Sequence, residues 1–311
     1  MRTYILKRFL MMIGTIFIIA SLTFLLMHFI PGSPFDQDRS FNPVVEQNLR
    51  AFYKLDQPLY TQYLNYIGSL LTLDFGPSIA NPDTTVGQLL QRGFPISFEL
   101  GIWAISVAVL SGITLGVLAA LKHNSLIDYM AMAFAVLGIS IPNFVLATLL
   151  IQELSVNLGW FPAATWRTPM HMVLPIMALA TTPMAIIARL TRSSMLETLT
   201  QDYIRTAQAK GLSTWRVVVR HALRNALMPV VTLLGTLLAA TLTGTFVIEK
   251  IFAIPGMGRY FIDSISNRDY PVIMGVTVFY SSVLVCMLFL VDMVYCWLDP
   301  RIRLDKKSEA E

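Results

Sequence analysis

Residues 9–30 read FLMMIGTIFIIASLTFLLMHFI, a run of 22 without an Asp, Glu, Lys or Arg. About 20 helical residues cross a hydrocarbon core of about 30 Å, so the run is long enough to span a bilayer. Five more charge-free windows follow, at 100–121, 129–152, 168–188, 225–248 and 270–291, each 21 to 24 residues long. None has the alternating pattern of an outer-membrane barrel strand. Hydrocarbon then leaves the helix as the way to satisfy the backbone. The first window follows Arg2, Lys7 and Arg8 as a secretory leader would. It exceeds the apolar core of a leader, about 7–15 residues, and Pro31-Gly32-Ser33-Pro34 is a poor cleavage site, so it reads as an uncleaved first helix.

Composition agrees. Of 311 residues, 55% are hydrophobic and 14% charged, roughly half the charged share of a soluble protein. Two cysteines exclude a disulfide scaffold, and the hydrophobicity excludes a disordered chain. The expected fold is an all-α integral membrane protein with six transmembrane helices. With the N-terminus inside, fifteen of the 23 basic residues fall on inner segments, seven of them between Arg189 and Arg224. Four of the eight outer ones lie in one long loop, where the positive-inside rule has little force. Both termini are therefore expected in the cytoplasm.

Two segments exceed what a connector needs. Residues 31–95 face outward, and the spacing Leu49, Phe52, Tyr53 and then Tyr60, Tyr63, Leu64, Ile67 is helical, which predicts a small ordered cap. Residues 189–224 face inward. Ser194-x-x-Glu197 has the form of a capping box opening a helix whose Met195, Leu199 and Tyr203 share a face. Gly211 suits the left-handed position that ends such a helix, and a second helix is expected from Ser213 or Thr214. In it Arg216, Arg220 and Arg224 recur at i, i+4 and i+8 as one basic stripe, and Pro229 falls in the first turns of the fifth span. Two readings stay open for this segment: the stripe reaches anionic headgroups, or the helix–turn–helix is a knob that docks in the groove of a cytosolic partner.

The stretch Asp202-Tyr203-Ile204-Arg205-Thr206-Ala207-Gln208-Ala209-Lys210-Gly211-Leu212 resembles the EAA loop of ABC importer permeases. Arg220-His221-Ala222-Leu223-Arg224-Asn225-Ala226-Leu227-Met228-Pro229 continues it as in the peptide/nickel branch. Pro31-Gly32-Ser33-Pro34, Leu73-Asp74-Phe75-Gly76-Pro77-Ser78, Ile141-Pro142-Asn143-Phe144, the run from Ile248 to Gly258 and the tail Asp299-Pro300-Arg301-Ile302-Arg303 agree in order. The resemblance is to the B-type permease subunit of oligopeptide importers, end to end. One departure is Arg205-Thr206-Ala207 in place of Glu-Ala-Ala, so no role of that Glu transfers, although the spacing to Gly211 is kept.

The resemblance implies the type I importer-permease fold, with a cytoplasmic N-terminus and first transmembrane helix at 1–30, an extracytoplasmic cap at 31–95, a permease core at 96–298 containing the coupling loop 189–224, and a cytoplasmic tail at 299–311. It implies a bacterial inner-membrane location, a second homologous permease subunit, two cytosolic ATPase subunits that bind the ATP and Mg, an extracytoplasmic binding protein and a peptide substrate. It implies no nucleic-acid partner and no cofactor in this chain. Arg205, Thr206, Ala207, Lys210 and Gly211 are the expected ATPase-docking loop, with the small Ala207 and Gly211 at its close-approach tip.

The residues fit that division of labour. The chain holds no Gly-x-x-x-x-Gly-Lys-Ser/Thr loop, no His-Glu-x-x-His and no Gly-x-Ser-x-Gly elbow. Asp292 is the acid well inside the last hydrophobic region, fewer than a proton-driven carrier buries. Asn143 beside Pro142, and Thr181-Thr182 before Pro183, either line a pathway or satisfy backbone freed by the prolines. Gly235, Ala239, Ala240, Thr241 and Gly244 read as close helix packing. Cys286 and Cys296 read as packing, and no metal site is expected. Peptide import is the first reading. The same architecture importing nickel chelates, glutathione or oligosaccharides, and a channel or sensor docking a cytosolic protein, are the alternatives.

Overall fold

A computed structural model describes residues 2–29, 47, 50–72 and 74–298. These are helical almost throughout, with one isolated bridge between Pro77 and Thr85. The chain forms two compact units, one from residues 1–96 and 255–311, the other from 97–254.

In the first unit α1 (Arg2–Phe29) runs antiparallel to α12 (Tyr270–Leu298). Near its start Phe9 meets Phe289 edge-on at 6.2 Å, and Arg8 Nη1 pairs with Asp292 Oδ2 at 2.9 Å. At its other end Met27 packs on Tyr270 and Ile273. Asp292 is thus a partner for Arg8, which explains its place beside an apolar window. The amphipathic α2 (Leu59–Thr72) lies against the far end of α1, where Phe24 stacks with Tyr66 at 5.6 Å and Ser21 hydrogen-bonds the Tyr63 hydroxyl at 2.8 Å. The second half of the predicted cap pattern is therefore helical, but Tyr60 and Leu64 point to solvent while Tyr63, Tyr66 and Ile67 face inward. Leu49 and the Pro31–Pro34 motif lie outside the described residues.

The last ten residues of the 31–95 segment are already helical. Helix α3 (Val86–Leu121) runs through Pro95 and starts from a capping box, in which the Gln88 amide donates to Thr85 Oγ1 and the Thr85 amide to Gln88 Oε1, each at 3.3 Å. Up to Ile96 this helix belongs to the first unit, where Gly93 admits the backbone of Gly256 and Met257, helix α11 (Met257–Ser266) beginning there.

The second unit is organised around α6 (Pro169–Leu199), which is entered through Thr168, whose amide donates to His171 Nδ1. Gly112 and Gly116 of α3 lie against it so closely that a Cβ on Gly116 would sit 2.5 Å from the Ala188 carbonyl oxygen. Without a hydrophobic drive between helices in lipid, such small residues supply the packing. Windows 129–152 and 225–248 are each broken by a bend. The first is two helices, α4 (Leu126–Ser140) and α5 (Asn143–Asn157), bent by 107° at Ile141-Pro142. The second contains the end of α8 (Thr214–Ala226), then α9 (Met228–Thr243) bent 54° from it, then α10 (Thr245–Ile251) after Gly244. Four helices remain long and apolar enough to cross singly, and six spans result when each bent pair counts as one.

Pro142 explains the larger bend. It has no N–H to give the carbonyl four residues back, Gly138. The Thr182 hydroxyl lies 3.2 Å from that oxygen and 2.8 Å from Asn143 Oδ1. Of the two readings for Asn143 and Thr182, the contacts support backbone satisfaction. Thr181 turns its hydroxyl to the Met177 carbonyl and its methyl towards Gly138.

Candidate functional site

The segment after α6 holds the predicted loop, with one change at its opening. Ser194 is not a cap. Nothing between Arg189 and Leu199 interrupts the helix, so α6 continues to Leu199, Ser194 is buried inside it, and α7 (Asp202–Ala209) opens only after Gln201. Met195 is fully buried while Tyr203 lies on the open side, so the two do not share a face.

The end of α7 is a Schellman turn. The Gly211 amide donates to the Gln208 carbonyl at 2.9 Å and the Leu212 amide to the Ala207 carbonyl at 3.4 Å. Gly211 has φ +77° and nothing within 4 Å of where a Cβ would be, so backbone conformation, not crowding, requires glycine here. Ser213 then precedes α8.

The hairpin shares one apolar core with α6 and α3. Met195, Ile204, Ala207, Val217, Val218, Ala222 and Ala226 pack together with Ala120 of α3. Ala207 therefore corrects the expectation of a tip residue: it turns inward, 6% exposed, and its small size serves this core. The face left open carries Arg205, Thr206, Gln208, Ala209 and Lys210. Arg205 Nη1 lies 3.7 Å from Asp202 Oδ1, an exposed pair of little energetic weight. In α8 a π-helical stretch, Val217–Ala222, interrupts the ladder and breaks the predicted stripe. Arg220 and Arg224 face one cavity and Arg216 lies outside it.

Two polar constructions were not apparent in the sequence. In the first turn of α4, Asp128 is 1% exposed and takes Arg192 of α6 in a two-pronged pair, Nη2 to Oδ2 at 2.7 Å and Nε to Oδ1 at 2.5 Å. The Asn124 amide donates to the same carboxylate at 3.0 Å, and His123 Nδ1 lies 3.3 Å from it. This fork ties the α3–α4 turn to the part of α6 that carries the hairpin. In the first unit, buried Asp269 clasps the loop before α3: Ser78 Oγ donates to Oδ2, and the Ile79 and Ala80 amides donate at 3.2 and 3.3 Å. The Tyr53 hydroxyl donates to the Ser78 carbonyl at 3.0 Å, and burial, then the Asp269 charge, push that phenol's pKa up. Beside this clasp is a cavity of about 510 Å³ lined by Phe24, Tyr53, Tyr66, Phe75, Asp74 and His28 among others.

These features define an all-helical, multi-span membrane protein that presents a packed helix–glycine turn–helix between its α6 and α9 helices. The chain belongs to the family of binding-protein-dependent transport system inner membrane components, which matches residues 112–304. It is 65% identical over 308 residues to the dipeptide transport system permease protein DppB of Bacillus subtilis (strain 168), covering 99% of this chain and 100% of that one. It is 43% identical over 305 residues to the oligopeptide transport system permease protein OppB of Haemophilus influenzae, covering 97% and 100%. Its fold matches a chain of the inward-facing MetNI methionine ABC transporter with a TM-score of 0.57 at 18% identity, over 68% of this chain and 96% of that one. An amino acid ABC transporter solved with histidines gives 0.53 at 18% identity, over 66% and 92%. The relatives are named as transport permease proteins, and the fold is one shared with chains of ABC transporters.

Proposed function

We propose that this chain is one of two permease subunits of an ATP-driven, binding-protein-dependent importer of short peptides. The observation that carries the reading is the 65% identity to a dipeptide permease over essentially the whole length of both chains. Both termini lie in the cytoplasm, so the 200–226 hairpin faces the cytosolic ATPases, which bind nucleotide and Mg. Arg205, Thr206 and Lys210 on the open face of α7 enter the ATPase groove, while Ala207 and Gly211 hold that face at a fixed angle. Because the hairpin shares a core with α6, ATP-driven closure of the partners is passed to the spans as motion of one body, a two-state element biased by a ligand on another chain. The outer part of the 31–95 segment, anchored by the Asp269 clasp, seats the binding protein. Asn143, Thr181 and Thr182 hold the α4–α5 break at the pathway wall.

The test is reconstitution of the four membrane and ATPase subunits in proteoliposomes with the binding protein. Dipeptides and tetrapeptides should stimulate ATP hydrolysis and accumulate inside. Stimulation by a nickel chelate or an oligosaccharide, with none by any peptide, overturns the substrate class.

A further inference from the structure

α8 carries a second polar surface that docking through α7 does not use. Arg220, His221 and Arg224 face one cavity of about 470 Å³, together with Tyr203, Asn225 and Met228. Among the described residues no acid lies within ion-pair distance of these three basic groups. One wall is fixed: Asn225 Nδ2 donates to the Tyr203 hydroxyl at 2.8 Å, which leaves the phenol's own proton to be given to something in the cavity.

The neighbouring surface is suited to lipid. α8 diverges from α9 by 54°, so the two cannot both lie along the bilayer normal. Trp215 is 77% exposed and Val219 42% on the same helix, an aromatic and an aliphatic residue beside a row of arginines. That combination belongs at the headgroup level, where an amphipathic ring and long cationic side chains meet both phases. Met228, 47% exposed, adds an apolar surface to the cavity, as an acyl chain would need.

We infer that Arg220, His221, Arg224 and Tyr203 form a binding site for the phosphate of an anionic phospholipid headgroup. Arginine forks fit phosphate oxygens two at a time, and the Tyr203 hydroxyl supplies a further donor. Its basic groups all lie on α8, outside the Arg205, Thr206 and Lys210 set, and only Tyr203 comes from α7.

The full-length chain, purified in detergent, is titrated with phosphatidylglycerol, phosphatidylcholine and inorganic phosphate, and binding is read by native mass spectrometry and melting temperature. Phosphatidylglycerol should bind at least tenfold more tightly than phosphatidylcholine and raise the melting temperature. Arg220→Gln with Arg224→Gln should abolish that preference, Tyr203→Phe should weaken it severalfold, and Arg216→Gln should leave it intact. The Tyr203→Phe arm holds if the double variant fails to fold. Phosphatidylglycerol binding unchanged in both variants overturns the site. Complete displacement by millimolar inorganic phosphate overturns the lipid assignment in favour of a free-anion site. Loss of ATPase co-purification in the double variant, with lipid preference retained, reassigns the surface to protein docking.

Discussion

Gly211→Val tests whether the angle of the hairpin carries coupling. The substitution places a β-branched residue at φ +77°, where an added Cβ meets no atom within 4 Å. The Cβ itself meets no neighbour, so the backbone conformation sets the main cost, about 1–2 kcal/mol for a left-handed residue. Escape from that conformation breaks both closing bonds, Gly211 to Gln208 and Leu212 to Ala207, and withdraws Leu212 from the hairpin core. An energy of 1–2 kcal/mol corresponds to a shift of about 5–30-fold between the native turn and its alternatives. In the reconstituted importer, peptide-stimulated ATP turnover and ATPase co-purification should fall within that range, with insertion unaffected. Gly211→Asn, a residue that tolerates the left-handed region, should recover most of the loss. Gly159→Val is the matched control, since Gly159 has φ +64° and equally open surroundings but lies outside the hairpin. It should cost similar stability and leave ATPase association unchanged. Normal turnover in Gly211→Val, or an equal loss of association in Gly159→Val, refutes the reasoning.

Ala207→Asp and Lys210→Glu separate the two faces of α7. The first buries a carboxylate in the hairpin core and should lower the melting temperature of the purified chain sharply. The second lies on the exposed face, should shift stability by no more than about 0.5 kcal/mol, and should weaken ATPase association. Asp128→Asn leaves the Arg192 guanidinium without its carboxylate, and breaking such a buried pair should cost about 3–5 kcal/mol in denaturant unfolding. Gly116→Ala drives a methyl into the Ala188 carbonyl and Thr191 and should cost about 1–3 kcal/mol, read as a lower melting temperature with peptide selectivity unchanged.

The positions of the apolar windows were legible because a span needs length and freedom from charge, and both are local properties of the sequence. The turn at Gly211 was legible for the same reason: a left-handed C-cap is written in one residue. Straightness was not. The bend at Ile141-Pro142 depends on whether another helix can satisfy the Gly138 carbonyl, and that answer lies in Thr182, 44 residues away. Capping boxes show the limit of motif reading. Ser194-x-x-Glu197 has the pattern but lies inside a helix that nothing interrupts, whereas Thr85-x-x-Gln88, with the same pattern, forms the reciprocal bonds. Ala207 failed differently: a small residue beside a turn reads equally as a close external contact or as core, and only the packing of Val217 and Ala222 against it decides.

Asp128 and Asp269 belong to one physical class, and it shows why the charge-free windows end where they do. Each acid lies directly before an apolar run, is buried almost completely, and holds a partner far away in sequence. A buried carboxylate without partners would be costly, so each position also demands donors on another element. Asp128 meets this with a guanidinium and Asp269 with a hydroxyl and two backbone amides. The chemistry of the partners sets what each joint resists. The two-pronged Arg192 pair fixes orientation as well as distance between the α3–α4 turn and α6. The Asp269 amide bonds instead hold a loop by its backbone, which any side chain at positions 79 and 80 would permit. The joint behind the hairpin is therefore sensitive to residue identity on both sides, and the Asp269 clasp chiefly to Asp269 and Ser78.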